Sequence, residues 1–197
     1  MDIKDTYQIL RKSMGIKQHS DNLPWHIKPA TRLTLASTFK DLGYTSGVEI
    51  GTKYGRFAEE LCKRNPQLKL TCVDPWVAYH SIGQERQDKI YTAALERLAN
   101  YPITIVKRPS LDVVDSIPDK SLDFVFIDGD HHFDAAVMDI IKWAPKVRSG
   151  GIVAVHDYTP MHWGGVVEAV DGYTRSYHID PWFITYELEP TAFWIQR

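Results

Sequence analysis

Five short apolar runs, spaced so that a helix-length stretch fits between each pair, leave this chain few folds to choose from. The runs are Gly47–Gly51, Leu68–Asp74, Ile103–Val106, Leu122–Asp128 and Gly151–Val155. They are β-branched and apolar at nearly every position, so both faces must be covered, as in a buried parallel sheet. Between them lie helix-period stripes: Phe57, Leu61 and Cys62; Tyr91, Ala94, Leu95 and Leu98; Val137, Ile140, Ile141 and Ala144. A further helix is predicted ahead of the first run, from about Ala30, where Leu35, Thr38, Phe39 and Leu42 share a face and Gly43 is placed to end it. Val166, Ala169, Val170 and Tyr173 predict another after the fifth. The closing runs Trp182–Tyr186 and Ala192–Ile195 are separated by a short Glu-Pro-Thr turn. A parallel crossover needs a dozen or more residues, so these two form an antiparallel hairpin. The result is an α/β domain spanning 1–197, with residues 1–30, polar and turn-rich, as an N-terminal arm or lid and residues 31–197 as the core.

Composition narrows the partners. Lys and Arg number 23 against 25 Asp and Glu, so the chain lacks the positive field that drives binding to phosphate backbones, and nucleic acid is not the favoured partner. No apolar run approaches the ~20 residues of a membrane span, and the start lacks the apolar core of a secretory signal. The reading is a cytoplasmic protein without a membrane partner. Cys62 and Cys72 belong to no metal-type pair and read as reduced core residues.

Ligands of open α/β sheets sit outside the carboxyl ends of the strands. The first strand-to-helix turn reads Val48-Glu-Ile-Gly-Thr-Lys-Tyr-Gly-Arg56, with glycines at 51 and 55. Gly51 suits a sharp turn with close backbone approach, and Gly55 suits a helix starting close to the strand. A dinucleotide fingerprint would need glycines where Lys53 and Arg56 stand, and no GxxxxGK[ST] phosphate loop occurs. Asp74 ends the second strand 23 residues after Gly51, where a carboxylate can accept from both hydroxyls of a ribose. Turn glycines with a helix-capping Asp would be the purely structural alternative.

Glu49-x-Gly51-x-x-x-Gly55 together with Val73-Asp74-Pro-Trp76 resembles the first two motifs of class I S-adenosylmethionine-dependent methyltransferases. The similarity runs on through Phe124–Asp134 and Pro145–Tyr158, where it resembles methyltransferase family 24 and the macrolide-sugar O-methyltransferases. What this implies is a Rossmann-like, seven-stranded sheet of order 3-2-1-4-5-7-6, counting from Gly47, and S-adenosylmethionine as cofactor. By the same resemblance Gly51 with its neighbours Glu49, Thr52 and Gly55 would contact the methionine part, Asp74 the ribose and Ser110 the adenine region, with Asp128 beside them. Ser110 reads equally as a helix cap.

The fourth strand ends in Asp128-Gly-Asp-His-His132 and the fifth in His156-Asp-Tyr158. Parallel strands bring both groups to the cofactor edge. Two chemistries stay open. Asp128, His156 and Asp157 would hold a divalent metal such as Mg2+ that orients an acceptor hydroxyl and lowers its pKa. Alternatively Asp128, His131 or His156 would take the proton without a metal. Metal-dependent relatives match at Asp128 and Asp157, while His156 replaces an Asp and Tyr158 an Asn. His19, His26, His80, His132, His162 and His178 read as solvent-facing, and Trp76, Tyr79, Tyr158, Trp163 and Trp182 as an aromatic wall or as core.

Methyl transfer is an in-line displacement that asks the protein to align three atoms and manage one proton. The expectation is O-methylation of a small-molecule acceptor such as a sugar or polyketide, with N-methylation as the near variant. Met1–Ala30 and Trp76–Lys89 would be the lids that set specificity. Alternatives are an RNA or protein methyltransferase, although the fourth strand lacks an Asn/Asp-Pro-Pro-Tyr tetrapeptide, and a non-catalytic cofactor-binding regulator. Assembly as a homo-oligomer stays open.

Overall fold

A computed structural model describes residues 2–16, 23–79, 82–160 and 164–197. Its strands are β1 (Trp25–Ile27), β2 (Ser46–Ile50), β3 (Lys69–Val73), β4 (Ile103–Val106), β5 (Leu122–Ile127), β6 (Val147–Val155), β7 (Trp182–Thr185) and β8 (Ala192–Ile195). The helices are α1 (Ile3–Met14), α2 (Arg32–Asp41), α3 (Arg56–Arg64), α4 (Gln84–Leu98), the single turn α5 (Ser110–Val113), α6 (Phe133–Trp143) and α7 (Val166–Ser176).

All eight strands join one sheet in the order β1-β7-β8-β6-β5-β2-β3-β4. The core strands β4, β3, β2, β5 and β6 are parallel, and β8 runs antiparallel to both β6 and β7. The predicted alternation, hairpin and strand order are therefore present, but the sheet has eight strands rather than seven. The addition is β1, which pairs parallel with β7 and extends the far edge.

Strand alternation divides the core. Glu49, Cys72, Phe124 and Phe126 face the layer of α1, α2 and α3, where Leu10, Leu35, Phe39 and Leu61 are buried. Val48, Ile50, Val125 and Ile127 face α6 and α7, against Ile140, Trp143, Val170 and Tyr173. α4 closes the remaining corner, with Trp76, Ile90 and Ala94 buried together. No helix among the described residues is long and apolar enough to cross a membrane.

Both segments expected as lids carry regular structure. Residues 1–30 are not simply an arm: α1 is capped by Asp2, whose side chain accepts from Asp5 N–H at 2.8 Å, and it buries Thr6, Leu10 and Met14. Thr6 Oγ1 donates to the Gly150 carbonyl at 2.7 Å, tying α1 to β6, and β1 supplies the extra strand. Polar residues dilute the apolar spacing of α1, and a three-residue strand is too short to show alternation. The stretch from Trp76 to Lys89 is likewise entered by α4 at Gln84, whose side-chain amide donates to Trp76 O at 3.0 Å and accepts from Ala78 N–H at 3.1 Å.

Candidate active site

The turn after β2 is built around a backbone conformation that glycine tolerates. Gly51 has φ 86°, and a Cβ there would lie 1.8 Å from the Asp128 carbonyl oxygen and 2.9 Å from Gly129 Cα. The ends of β2 and β5 can meet only because that side chain is missing. Gly51 N–H donates to Val73 O at 2.8 Å, and Asp128 N–H to Ile50 O at 2.8 Å, so three strands end in register. Gly55 opens α3 with φ 70°, and it makes room for α4 rather than for the strand, since a Cβ would lie 2.8 Å from Leu98 Cδ1.

Asp74 is held by that turn. Its Oδ2 accepts from Lys53 N–H at 2.8 Å and its Oδ1 from Trp76 N–H at 2.7 Å. Trp76 is buried, donates through its indole to Lys53 O at 2.9 Å and packs on Tyr91, so it braces the turn from behind. Burial raises the Asp74 pKa, with the two backbone donors opposing. Each carboxylate oxygen keeps a second acceptor site for a hydroxyl.

Under the same turn, Glu49 is only 2% exposed, and its Oε2 and the Thr52 hydroxyl have no hydrogen-bond partner among the described residues. Burial pushes the Glu49 carboxyl up to about 8, with Asp128 and Asp74 adding to the rise. A buried unpaired carboxylate oxygen costs free energy until a donor or cation reaches it. These two orphaned polar groups fit the ammonium end of an amino-acid-bearing ligand.

The acid and histidine cluster assembles where the parallel strands predicted it. His131 Nε2 lies 2.9 Å from Asp157 Oδ2 and 3.9 Å from Asp128 Oδ1. His156 Nδ1 lies 3.2 Å from Asp157 Oδ1 and 3.5 Å from Asp128 Oδ1. Asp157 sits at φ 57°, in the left-handed region. That conformation is uncommon outside glycine, and here it belongs to the residue whose carboxylate joins the two histidines. Hydrogen bonds to Asp128 and Asp157 push His131 up to about 10, against its partial burial. For His156 burial disfavours the charge, but the two carboxylates outweigh it and raise the pKa to about 9. Burial alone would raise Asp128 and Asp157, yet the histidines hold both below the ordinary Asp value.

Arg32 occupies one nitrogen of His156, a residue expected from the sequence to hold a metal. Its guanidinium donates to His156 Nε2, from the first turn of α2. An Nε2 that accepts from Arg32 keeps its lone pair, so this contact acts against the charging that the two carboxylates favour. His156 is thus held at Nε2, while Nδ1 stands near the two carboxylates without a hydrogen bond to either. His131, with Asp128 and Asp157, instead forms a group whose ligand atoms all lie within 4.8 Å of one another, and His156, Asp157 and Glu189 form a second such group. Arg32 is itself positioned by Glu187, which accepts from Arg32 N–H at 2.6 Å and from Thr185 Oγ1 at 2.8 Å. Arg32, Glu187 and Glu189 escaped the sequence reading because each comes from a segment with no motif of its own.

The remaining expectations divide. Ser110 begins α5 and donates to Asp139 Oδ1 of α6, and it makes no side-chain cap. Asp139 was also missed: the buried face of α6 is Ala136, Asp139, Ile140 and Trp143, one position off the apolar stripe, with Ile141 exposed. Burial pushes Asp139 up to about 6, with the Ser110 hydrogen bond opposing. Tyr158 and Trp182 pack edge-on in the core, and Tyr158 OH donates to Asp171 at 2.8 Å, so neither lines the edge; Tyr79 is exposed. His132 pairs locally with Asp130 at 2.6 Å and is exposed, as are His26 and His178. His19, His80, His162 and Trp163 lie outside the described residues.

Comparison with known proteins agrees with this geometry. A family profile described as "Methyltransferase domain" matches residues 48–158, which run from β2 through the cluster. An uncharacterized protein, R132, of Acanthamoeba polyphaga mimivirus is 29% identical over 171 residues, covering 83% of this chain and 73% of that one. Among solved structures, an O-methyltransferase from Bacillus cereus in complex with S-adenosylhomocysteine is 13% identical, with a TM-score of 0.63 over 98% of this chain and 90% of that one. TomG of Streptomyces achromogenes, an O-methyltransferase of tomaymycin synthesis solved with S-adenosylmethionine, is 17% identical with a TM-score of 0.58 over 99% and 89%. At such identities the structures speak for a shared fold.

Proposed function

The chain belongs to the methyltransferase domain family, and from that premise we propose that it transfers the methyl group of S-adenosylmethionine to a hydroxyl of a small-molecule acceptor. The observation that carries this reading is one shared edge: the Gly51 turn with Asp74, and the cluster of Asp128, His131, His156 and Asp157, meet where Gly51 touches the Asp128 backbone. The sulfonium cofactor supplies an electrophilic methyl group that needs no covalent enzyme intermediate. Asp74 accepts from the ribose hydroxyls, and Glu49 with Thr52 lies under the turn to receive the ammonium group. The nucleophile must then arrive in line with the methyl group and lose a proton.

Asp128, His131 and Asp157 manage that proton. Both carboxylates are ionised at neutral pH and call for a cation between them, a demand His131 meets as imidazolium. Such an imidazolium is a poor base. A divalent cation held by Asp128, Asp157 and neutral His131 would bind the acceptor hydroxyl and lower its pKa. His156, clamped between Arg32 and the carboxylates, is a positioning residue that keeps Asp128 and Asp157 in register. The near balance of charge and the acidic edge favour a small acceptor over a nucleic acid.

The test is transfer of a labelled methyl group from S-adenosylmethionine into a metabolite extract, with RNA and protein fractions run beside it. Label in a small-molecule fraction, lost on adding chelator and in Asp157→Ala, is the expected result. Label confined to RNA or protein refutes the acceptor class. Turnover indifferent to chelator refutes the cation.

A further inference from the structure

Gly164 and Gly165, at the entry to α7, are glycines for reasons of space rather than of backbone conformation. Gly165 has φ −96° and ψ 26°, open to residues with a side chain, and Gly164 is not left-handed either. A Cβ on Gly164 would lie 2.2 Å from the His131 carbonyl oxygen and 2.6 Å from His131 Cβ. One on Gly165 would lie 2.3 Å from Phe133 Cβ and 2.6 Å from Phe133 Cα. These atoms are backbone or attached directly to it, so no flexible side-chain end can swing clear. Gly165 N–H also donates to the His131 carbonyl at 2.7 Å. Packing of α7 as a helix does not ask for this: it buries Val166, Ala169 and Val170, and its Gly172 would bring a Cβ near nothing within 4 Å.

The segment pressed in this way is the one that carries His131. The loop is anchored at its start, where Asp128 N–H donates to Ile50 O at 2.8 Å, and at its end, where α6 begins at Phe133. His131 lies between, partly exposed, and still brings Nε2 to 2.9 Å from Asp157 Oδ2 and 3.9 Å from Asp128 Oδ1. Asp157 and Gly164 belong to the same connection from β6 to α7. That connection supplies a carboxylate to the cluster at one end and presses on the backbone of the carboxylate's partner at the other. A side chain at 164 would have to push the His131 backbone away, and a contact of hydrogen-bond length does not survive such a displacement.

We propose that Gly164 and Gly165 are positioning residues of the methyl-transfer site, whose bare backbones seat His131 against Asp157 and Asp128. The proposal rests on the reading above that places His131 at the acceptor. Groups that orient a ligand or a proton-handling side chain from behind set its reach without touching the reacting atoms. A purely structural role, in which the two glycines merely let α7 approach α6, would loosen both helices together and would single out neither His131 nor the cluster.

The experiment compares Gly164→Ala with Gly172→Ala, the same substitution made in open space, in the full chain carrying isotope-labelled histidine. The readouts are the ring nitrogen resonances of each histidine at one fixed pH, and calorimetric titration with S-adenosylhomocysteine and with Mn2+. In Gly164→Ala the His131 resonances are expected to shift toward those of the exposed His178, while those of the buried His156 stay in place. S-adenosylhomocysteine should bind within about threefold of wild type and Mn2+ at least about tenfold more weakly, as for loss of a group that orients a metal ligand. Gly172→Ala should match wild type throughout. Unmoved His131 resonances in folded Gly164→Ala overturn the proposal. So do His131 and His156 resonances that move together, or a Gly172→Ala that behaves like Gly164→Ala, because general loosening is what a structural tie gives. If Gly164→Ala does not fold, Gly165→Ala, which presses on Phe133, is read the same way; failure of both to fold makes the contact structural and overturns the proposal too. Wild type that does not bind Mn2+ refutes the divalent cation, and wild type that does not bind S-adenosylhomocysteine refutes the cofactor reading; in either case the His131 resonances still decide the seating.

Discussion

Replacing Glu49 by Gln should change the pH dependence of stability in a direction that few surface carboxylates share. Burial lifts the folded-state pKa of Glu49 from 4.5 to about 8. Between those values the folded chain keeps a proton that the unfolded chain has lost, so stability falls as pH rises from about 4.5 through 8 and is level above. Each unit in that window removes ~1.36 kcal/mol, which by pH 7 amounts to about 3 kcal/mol. At roughly 2–4 °C per kcal/mol for a domain of this size, the melting temperature should drop by about 6–12 °C from this one group. Asp128 and Asp157, whose pKa values are lowered, contribute in the opposite sense and lose their stabilisation only toward acid. The assay is therefore a difference: thermal melts of wild type and Glu49→Gln at half-unit steps from pH 5 to 8. The wild-type curve should fall relative to the variant across the window. Saturating S-adenosylhomocysteine should flatten the fall, because an ammonium beside Glu49 stabilises its charged form. Parallel profiles of wild type and Glu49→Gln would refute the buried neutral carboxyl, and a fall unchanged by ligand would refute its proposed role.

Asp74→Ala should weaken S-adenosylhomocysteine binding by about 2 kcal/mol, or roughly thirtyfold, since the ribose hydroxyls lose a charged acceptor; unchanged calorimetric affinity in the folded variant would remove Asp74 from the site. Gly51→Ala should destabilise the chain by at least about 3 kcal/mol, because a Cβ there meets the Asp128 carbonyl at 1.8 Å in a left-handed conformation. Urea denaturation checks it, and an unshifted midpoint would mean that the ends of β2 and β5 are not in contact.

What could be read from the sequence follows the range of the interactions involved. β2, β3 and β5 are buried on both faces and therefore apolar throughout, and the hairpin of β7 and β8 is enforced by its short turn. Gly51, Asp74, Asp128 and Asp157 were legible because each ends a strand whose direction fixes its edge. β1 was not, since Trp25–Ile27 becomes a strand only by pairing with β7, some 158 residues away at Trp25 and Phe183. Asp139 was hidden for a different reason: it occupies the buried face of α6, where an apolar residue is the expectation, and only Ser110 from another loop makes a carboxylate tolerable there.

The Arg32–His156 contact shows why roles within the cluster required coordinates. Residue types alone make His131 and His156 equivalent, each a few positions from an Asp at the same sheet edge. Their surroundings separate them. His156 is buried, with Nε2 facing Arg32 and Nδ1 near Asp128 and Asp157. His131 is partly exposed and reaches the same carboxylates from the solvent side, from a loop held by Gly165 N–H donating to its carbonyl at 2.7 Å. Arg32 reaches the site from α2, which precedes β2, and Glu187 reaches Arg32 from beyond β7. The side chains at the ends of β5 and β6 are thus contacted by segments that precede and follow the matched core of residues 48–158. A family resemblance confined to that core carries the Gly51 turn and the two Asp residues, whereas the contacts that distinguish the two histidines come from the flanking Arg32 and Glu187.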